Sequence, residues 1–121
     1  MAGLSASDKQ KLLDLAREAL VSAVRGQDVP KLDLNSLSDP MRQAGASFVT
    51  LTIHGNLRGC IGSLEARQPL AEDVREHAVE AALDDYRFPP VTPNELAEIR
   101  IEISHLTAPQ PLEYSSPEEL V

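Results

Sequence analysis

Apolar residues recur at helical spacing near the start of the chain. The repeat follows the i, i+4, i+7 pattern and is made of Leu12, Ala16, Ala19, Leu20 and Ala23. It predicts an amphipathic helix over residues 8–25. Ser7, with Gln10 three residues later, fits a capping box, and Gly26 fits a helix end.

Strict alternation of apolar and polar residues follows a long irregular connection over residues 27–45. Val49, Leu51 and Ile53 alternate with threonines and end at Gly55-Asn56, a pair that suits a type II′ turn. The pattern predicts a β-hairpin over residues 46–62. A two-residue loop at that pair places Cys60 opposite Leu51, with Arg58 on the same face.

Two further elements and one short segment complete the pattern. Residues 69–84 carry a narrow apolar stripe and predict a second helix, and residues 99–106 alternate as a half-buried strand. Thr92-Pro93-Asn94-Glu95 has the form of a capping box. Together these elements predict an α+β fold in which both helices pack on a mixed or antiparallel sheet that contains the hairpin.

Composition narrows the class of protein without naming a reaction. The chain has 121 residues, a single cysteine, two Tyr, two Phe and no Trp, so we expect one domain with an aliphatic core in a reducing cytoplasm. Residues 1–60 hold 7 Lys and Arg against 6 Asp and Glu, whereas residues 61–121 hold 4 against 13. This acidic balance argues against nucleic-acid binding and against an anionic membrane surface.

One segment, residues 45–112, resembles the AMMECR-type domain, a family named after the Alport syndrome, midface hypoplasia and elliptocytosis chromosomal region. The matching stretches, in chain order, are Phe48-Val49-Thr50-Leu51, Leu57-Arg58-Gly59-Cys60-Ile61-Gly62, Arg87-Phe88-Pro89-Pro90-Val91, Glu95-Leu96 and Ile101-Glu102-Ile103-Ser104. The hexapeptide LRGCIG, which we call the hallmark segment, is specific in combination with the downstream FPPV.

The resemblance implies a two-subdomain α+β fold with the hallmark segment near a cleft. It also implies partner proteins of the Memo type and of the radical SAM type, but no settled reaction and no identified cofactor. The family's domain continues past the length of this chain. Residues 116–120 repeat the helix-start pattern just before the chain ends, so we expect a single domain over residues 1–121 that is incomplete at its C-terminal end.

Within the hallmark segment, Cys60 and Arg58 each have two interpretations. Cys60 is either a nucleophile whose thiolate Arg58 stabilises or a small, inert core residue. Arg58 is either an anchor for an anionic ligand or one half of an internal salt bridge. Gly59 and Gly62 would let a ligand approach the backbone closely.

Outside the hallmark segment the candidates are weaker. Arg87, just before Phe88-Pro89-Pro90, is a second candidate for an anion contact, while the prolines form either a cleft wall or a stop between helix and strand. The second helix also carries polar residues on one face that could bind a divalent metal: Asp73, His77, Glu80 and Asp84. We interpret this face as the solvated side of an amphipathic helix and assign no metal ligand.

Two functions therefore remain open. In the first, the domain binds a small, anionic ligand or acts on it at Arg58, Cys60 and the neighbouring glycines. In the second, the hallmark segment is a packing core, and the acidic surface of residues 65–119 recruits a protein partner.

Overall fold

Three helices and three strands make up the described part of the chain, residues 4–106, in the computed structural model. The elements are α1 (Ala6–Val24), α2 (Asp39–Arg42), β1 (Ala46–Ile53), β2 (Asn56–Gly62), α3 (Leu70–Leu83) and β3 (Ile99–Leu106). They confirm the predicted α+β class. The helix start predicted at residues 116–120 lies outside the described residues.

The sheet is antiparallel, with strand order β2-β1-β3. Alternation sends Val49 and Leu51 of β1 into the core, where both are fully buried. The small residues of α3, among them Ala78 and Ala81, let this helix lie close against the sheet. The core is aliphatic, as the scarcity of aromatic residues predicts.

The first helix begins two residues earlier than the sequence predicts. Its cap is Ser5 rather than Ser7: the Ser5 hydroxyl accepts from the Asp8 backbone N–H at 3.0 Å, and the Asp8 carboxylate accepts from the Ser5 N–H at 3.1 Å. Both serines precede an acceptor by three residues, so the local pattern alone allowed either cap. Gly26 follows the helix with φ of 72°, as expected for a glycine at a helix end.

The hairpin forms where predicted, but its pairing differs from the prediction by two residues next to the turn and by one residue farther along the strands. The turn is at His54-Gly55, which have φ of 51° and 83°, rather than at Gly55-Asn56. Two positive φ values are typical of a type I′ turn, whose twist matches that of the strands. The register then shifts between Leu51 and Thr52, which leaves Arg58 as the extra residue of a β-bulge.

This shift moves the cysteine to the other face of the sheet. Cys60 pairs with Thr50, whereas Gly59 takes the place opposite Leu51. The prediction that Cys60 shares the face of Val49 and Leu51 is therefore wrong. Cys60 lies on the face that turns away from α3.

The connection over residues 27–45 contains a short 3₁₀ turn at Leu34–Ser36 and the four-residue helix α2. Leu37 and Met41 anchor it in the core. A second 3₁₀ segment, Pro93–Glu98, begins at the predicted Thr92–Glu95 capping box and leads into β3. Within residues 4–106, no helix is long and apolar enough to cross a membrane.

Candidate functional site

Two of the segments that carry the family resemblance, residues 57–62 and 87–91, meet at the outer edge of β2. Arg58 leaves the strand at the bulge, and its Nε and Nη2 donate to the two carboxylate oxygens of Glu95 at 2.8 and 3.0 Å. The same guanidinium donates to the backbone carbonyls of Pro89 and Pro90 at 2.9 and 3.3 Å. The hydrogen bonds from Arg58, and then the bond from the Thr92 N–H, lower the pKa of Glu95 to about 2.

Arg58 thus makes the internal salt bridge that the sequence left as one of two alternatives. Its side chain is 14% exposed and that of Glu95 is 29% exposed, so water screens this pair less than it screens a surface ion pair. A bidentate guanidinium–carboxylate pair also fixes the relative orientation of the two groups. The pair ties the hallmark strand to the loop that precedes β3.

A second ion pair covers the edge of β2 beside Cys60. The Asp85 carboxylate accepts from the Cys60 N–H at 3.0 Å and from Arg87 Nη2 at 2.7 Å. Arg87 Nη2 also reaches the Cys60 carbonyl at 3.5 Å, and its guanidinium stacks over the Phe88 ring at 5.5 Å. The hydrogen bond from Arg87 holds the pKa of Asp85 well below its usual range, and Asp85 in turn raises the pKa of Arg87.

These contacts replace the pairing that a neighbouring strand would provide. Asp85 and Arg87 satisfy the outward N–H and C=O of one β2 residue, Cys60, which would otherwise form part of a bare sheet edge. Asp85 is 4% exposed, so its charge needs the partners it has. Arg87 therefore lies at the predicted site, and its described contacts are with this chain.

The cysteine itself is half-buried. Its Sγ lies 3.2 Å from Thr50 Oγ1, with which it shares a hydrogen bond. Among the described residues, no histidine or carboxylate forms a side-chain hydrogen bond to the sulfur. The side-chain hydrogen bond that would couple a general base to a nucleophilic thiol is therefore not formed within residues 4–106.

Gly59 and Gly62 are packing positions. A Cβ on Gly59 would lie 2.2 Å from the Ala81 carbonyl oxygen of α3, and one on Gly62 would lie 2.3 Å from the Phe48 ring. Protein atoms fill the side on which a substituent would project. The close approach is thus made by α3 and by Phe48, and a role for either glycine as a ligand contact stays a prediction.

Three cavities lined by described residues lie away from the hallmark segment. The largest of them, about 610 Å³, separates α1 from β3 and is lined mainly by apolar side chains, with His105 at its border. Burial lowers the pKa of His105. A second cavity of about 380 Å³ lies over α3 and is bordered by Glu72, Arg75, Glu76 and Glu80.

The polar face of α3 differs most from the prediction. Asp73 and His77 are not solvated, since they are only 2% and 4% exposed. Ser47 of β1 donates its hydroxyl proton to Asp73 Oδ2 at 2.7 Å, and Gln68 donates to Asp73 Oδ1 at 3.1 Å. His77 Nδ1 lies 3.2 Å from Asp73 Oδ2 and 3.3 Å from Ser47 Oγ. The interpretation of this face as a solvated side of the helix is wrong for Asp73 and His77.

The structure therefore brings together three of the predicted site residues, Arg58, Cys60 and Arg87. Sequence reasoning missed their partners Glu95 and Asp85. A signal for Glu95 was present, because a capping-box glutamate is held near the chain and can face a neighbouring strand. No local signal linked Ser47 to Asp73, which lies 26 residues away.

Comparison with known proteins confirms the family resemblance that the sequence shows. The family model named AMMECR1 matches residues 13–121. A protein of Methanothermobacter thermautotrophicus is 46% identical over 96% of this chain and 60% of its own length, and one of Thermofilum pendens is 38% identical over 99% and 61%. The chain thus spans about 60% of the length of these relatives.

A solved structure shares the fold. The crystal structure of the uncharacterized protein PH0010 from Pyrococcus horikoshii superposes with a TM-score of 0.74 at 32% identity. The superposition covers 86% of this chain and 53% of that one.

Proposed function

Since this chain belongs to the AMMECR1 family, we propose that it acts as a non-catalytic accessory domain that recruits protein partners. In this proposal the hallmark segment is part of the structural core. The observation that carries the proposal is that both arginines of the candidate site are paired with carboxylates of the same chain, Arg58 with Glu95 and Arg87 with Asp85.

The electrostatics of the site support this function. An anion anchor needs a cation whose charge is available to the ligand. Glu95 and Asp85 each offset one arginine charge, and five nitrogens of the two guanidiniums already donate hydrogen bonds at 2.7 to 3.0 Å. An incoming anion would meet the negative charge of a carboxylate that is tethered in the same chain, which costs binding free energy.

The surface around the hallmark strand offers contacts for a protein partner. Three large side chains near this strand are exposed, Leu57 at 43%, Leu64 at 75% and Tyr86 at 95%. Aromatic and aliphatic groups of this kind are typical anchors in protein interfaces. The partners we propose are the Memo-type and radical SAM proteins implied by the resemblance.

The test is copurification of the 121-residue chain with a Memo-type protein and with a radical SAM protein. We expect Cys60→Ser to copurify as well as the wild type, because the thiol has no role in the proposal. Tyr86→Ala should weaken copurification, since its side chain is almost wholly exposed and contributes little to the fold. Loss of copurification in Cys60→Ser with an intact fold, or an unchanged result for Tyr86→Ala, would contradict the proposal.

A second candidate function, binding of a small anionic ligand, has one observation in its favour. The Cys60 thiol is half-buried, and the Arg87 side chain beside it is 46% exposed. Alkylation of Cys60 by iodoacetamide separates the two functions. Rapid alkylation with an apparent pKa well below ~8.5 favours the ligand site, whereas a thiol that reacts only on unfolding favours the accessory domain.

A further inference from the structure

A group of potential metal ligands lies on α3, on the opposite side of the helix–sheet packing from the Cys60 face. One donor atom each from Glu76, His77 and Glu80 lies within 4.8 Å of the others, and His77 Nε2 is 4.0 Å from Glu80 Oε1. Glu76 and Glu80 are one helical turn apart, and His77 stands three residues before Glu80. Helical spacing therefore places Glu76 and His77 each within about one turn of Glu80, so that their donor atoms converge.

The proton positions around His77 follow from its neighbours. Ser47 has a single hydroxyl proton and donates it to Asp73 at 2.7 Å, so its oxygen can only accept from His77. The Nδ1 atom, 3.3 Å from that oxygen and 3.2 Å from the Asp73 carboxylate, then carries a ring proton, and in the neutral ring, the form that binds a metal, it carries the only one. This tautomer leaves a lone pair on Nε2.

That lone pair has no hydrogen-bond donor among residues 4–106. His77 is 4% exposed, so its ring is held almost completely inside the protein, with Nε2 directed toward the Glu80 carboxylate. Two acceptors facing each other without a shared proton or cation repel. A buried imidazole whose other nitrogen is oriented by a carboxylate and a hydroxyl is the usual arrangement of a metal-binding histidine.

We propose that Glu76, His77 and Glu80 bind a divalent transition-metal ion, for which Zn²⁺ is the representative, with Asp73 and Ser47 as positioning residues. One neutral imidazole and two carboxylates supply a nitrogen and two oxygens, and the two negative charges offset the charge of the ion. The nitrogen ligand favours zinc-like ions over Mg²⁺ and Ca²⁺, which prefer oxygen. Three protein ligands leave a coordination position for water.

Binding needs movement of the glutamate side chains, because donor atoms that lie within 4.8 Å of one another must come closer around an ion. Ligand atoms about 2.0 to 2.2 Å from a tetrahedral zinc ion are themselves roughly 3.5 Å apart. His77 Nε2 and Glu80 Oε1 must therefore approach by a few tenths of an ångström, which the glutamate side chain can provide. Glu76 is exposed and Glu80 is half-buried, and both border the cavity over α3, through which an ion can enter. The Arg75 side chain, which also borders that cavity, donates to the Pro30 carbonyl.

The experiment is a calorimetric titration of ZnCl₂ into the 121-residue chain carrying Cys60→Ser, which removes adventitious binding by the thiol. We expect one ion per chain and a rise in the thermal midpoint on addition of zinc. Glu76→Gln with Glu80→Gln should weaken the affinity at least tenfold. This pair of substitutions keeps the side-chain shape and leaves the buried Ser47–Asp73–His77 contacts in place, so it should fold normally.

His54 provides the matched control. It also lies near a glutamate, with Nε2 3.6 Å from Glu98 Oε1, but its side chain is 74% exposed and it has a single carboxylate neighbour. His54→Gln should leave zinc affinity unchanged. The absence of saturable zinc binding, equal affinity in the double glutamine variant, or loss of binding in His54→Gln would each overturn the proposal. Equal competition by Mg²⁺ would overturn the assignment to a transition metal.

Discussion

Two charged regions of this domain satisfy their charges in opposite ways. At the edge of β2, each carboxylate has an arginine of the same chain: Glu95 pairs with Arg58, and Asp85 pairs with Arg87. On α3, Glu76 and Glu80 flank His77, and the described residues supply no lysine or arginine in a salt bridge with either glutamate. The first region pairs its charges within the chain, whereas the second, within residues 4–106, has carboxylates around a single histidine.

The difference separates residues that carry a family resemblance from residues suited to bind something. The hallmark segment attracts functional interpretation because it contains an arginine and the only cysteine. Its described contacts nevertheless join β2 to α3 and to the loop before β3. The α3 cluster carries no recognised motif, yet it meets the physical requirements of a ligand set. The segment whose sequence is specific to the family is thus not the segment whose side chains are suited to bind a ligand.

Gly59→Ala tests the structural role of the hallmark strand with the largest expected effect. The new Cβ would meet the Ala81 carbonyl at 2.2 Å, so strand and helix must separate, and we expect a loss of about 3 kcal/mol in the free energy of unfolding measured in urea. Gly26→Ala is the control, because its Cβ would meet nothing within 4 Å and only its φ of 72° is unfavourable. The control should lose about 1 kcal/mol. Equal losses would show that the helix does not press on Gly59.

Asp85→Asn tests whether the second ion pair supports the edge of β2. The substitution keeps the volume but removes the charge that Arg87 binds and weakens the acceptor for the Cys60 N–H, so we expect a loss of about 2 kcal/mol by urea denaturation. The neighbouring Asp84 is exposed and serves as the matched control. Asp84→Asn should change stability by less than about 0.5 kcal/mol. If Asp85→Asn leaves the free energy of unfolding unchanged, the Asp85–Arg87 pair does not support the edge of β2.

Acid should destabilise the edge of β2 through protonation of Glu95. Its pKa is lowered from 4.5 to about 2 by Arg58, so the folded state favours the ionised form. The resulting stability is fully present above pH 4.5 and is lost as the pH falls toward 2. We expect the difference in unfolding free energy between the wild type and Glu95→Gln to be about 2 kcal/mol at pH 7 and to shrink in acid. A difference that stays constant with pH would contradict the ion pair.

Glu76→Gln should have the smallest effect on the free energy of unfolding, in contrast to Glu95→Gln. Burial raises the pKa of Glu80, and the charge of Glu76 raises it further. Removal of the Glu76 charge relieves this repulsion, so we expect metal-free protein to be unchanged or slightly more stable, by less than about 0.5 kcal/mol, in the same urea measurement at pH 7. A clear loss of stability in metal-free protein would mean that the hydrogen bond from Gln68 Nε2 to Glu76, at 3.3 Å, supports the fold as the Arg58–Glu95 pair does.

The sequence alone predicts the helices and strands, but it does not predict the contacts between them. Periodicity predicts α1, α3 and the three strands, because burial of one face decides each element locally. The hairpin register was missed because Gly55 serves equally as the first residue of one turn or the second residue of another, and His54 adopts a positive φ that few non-glycine residues adopt. The turn alone moves the pairing by two residues and keeps Cys60 on its predicted face, so the bulge at Arg58 is what changes the face on which Cys60 lies.

The candidate site was predictable only in part, for a related reason. Local patterns place Arg58, Cys60 and Arg87 on their elements, but they do not specify which of many carboxylates each arginine meets. Glu95 lies 37 residues from Arg58 along the chain, and Asp73 contacts Ser47 only because α3 packs on β1. Such pairs depend on the packed arrangement of elements and have no signature in one sequence.

A double-mutant cycle between Arg58 and Glu95 tests the central claim most directly. Urea denaturation of the wild type, Arg58→Met, Glu95→Gln and the double variant at pH 7 isolates the energy of the pair. If the arginine of the hallmark segment serves the fold, the coupling energy should be about 2 kcal/mol, with each single variant destabilised. A coupling near zero would contradict the account and return Arg58 to the role of an anion anchor.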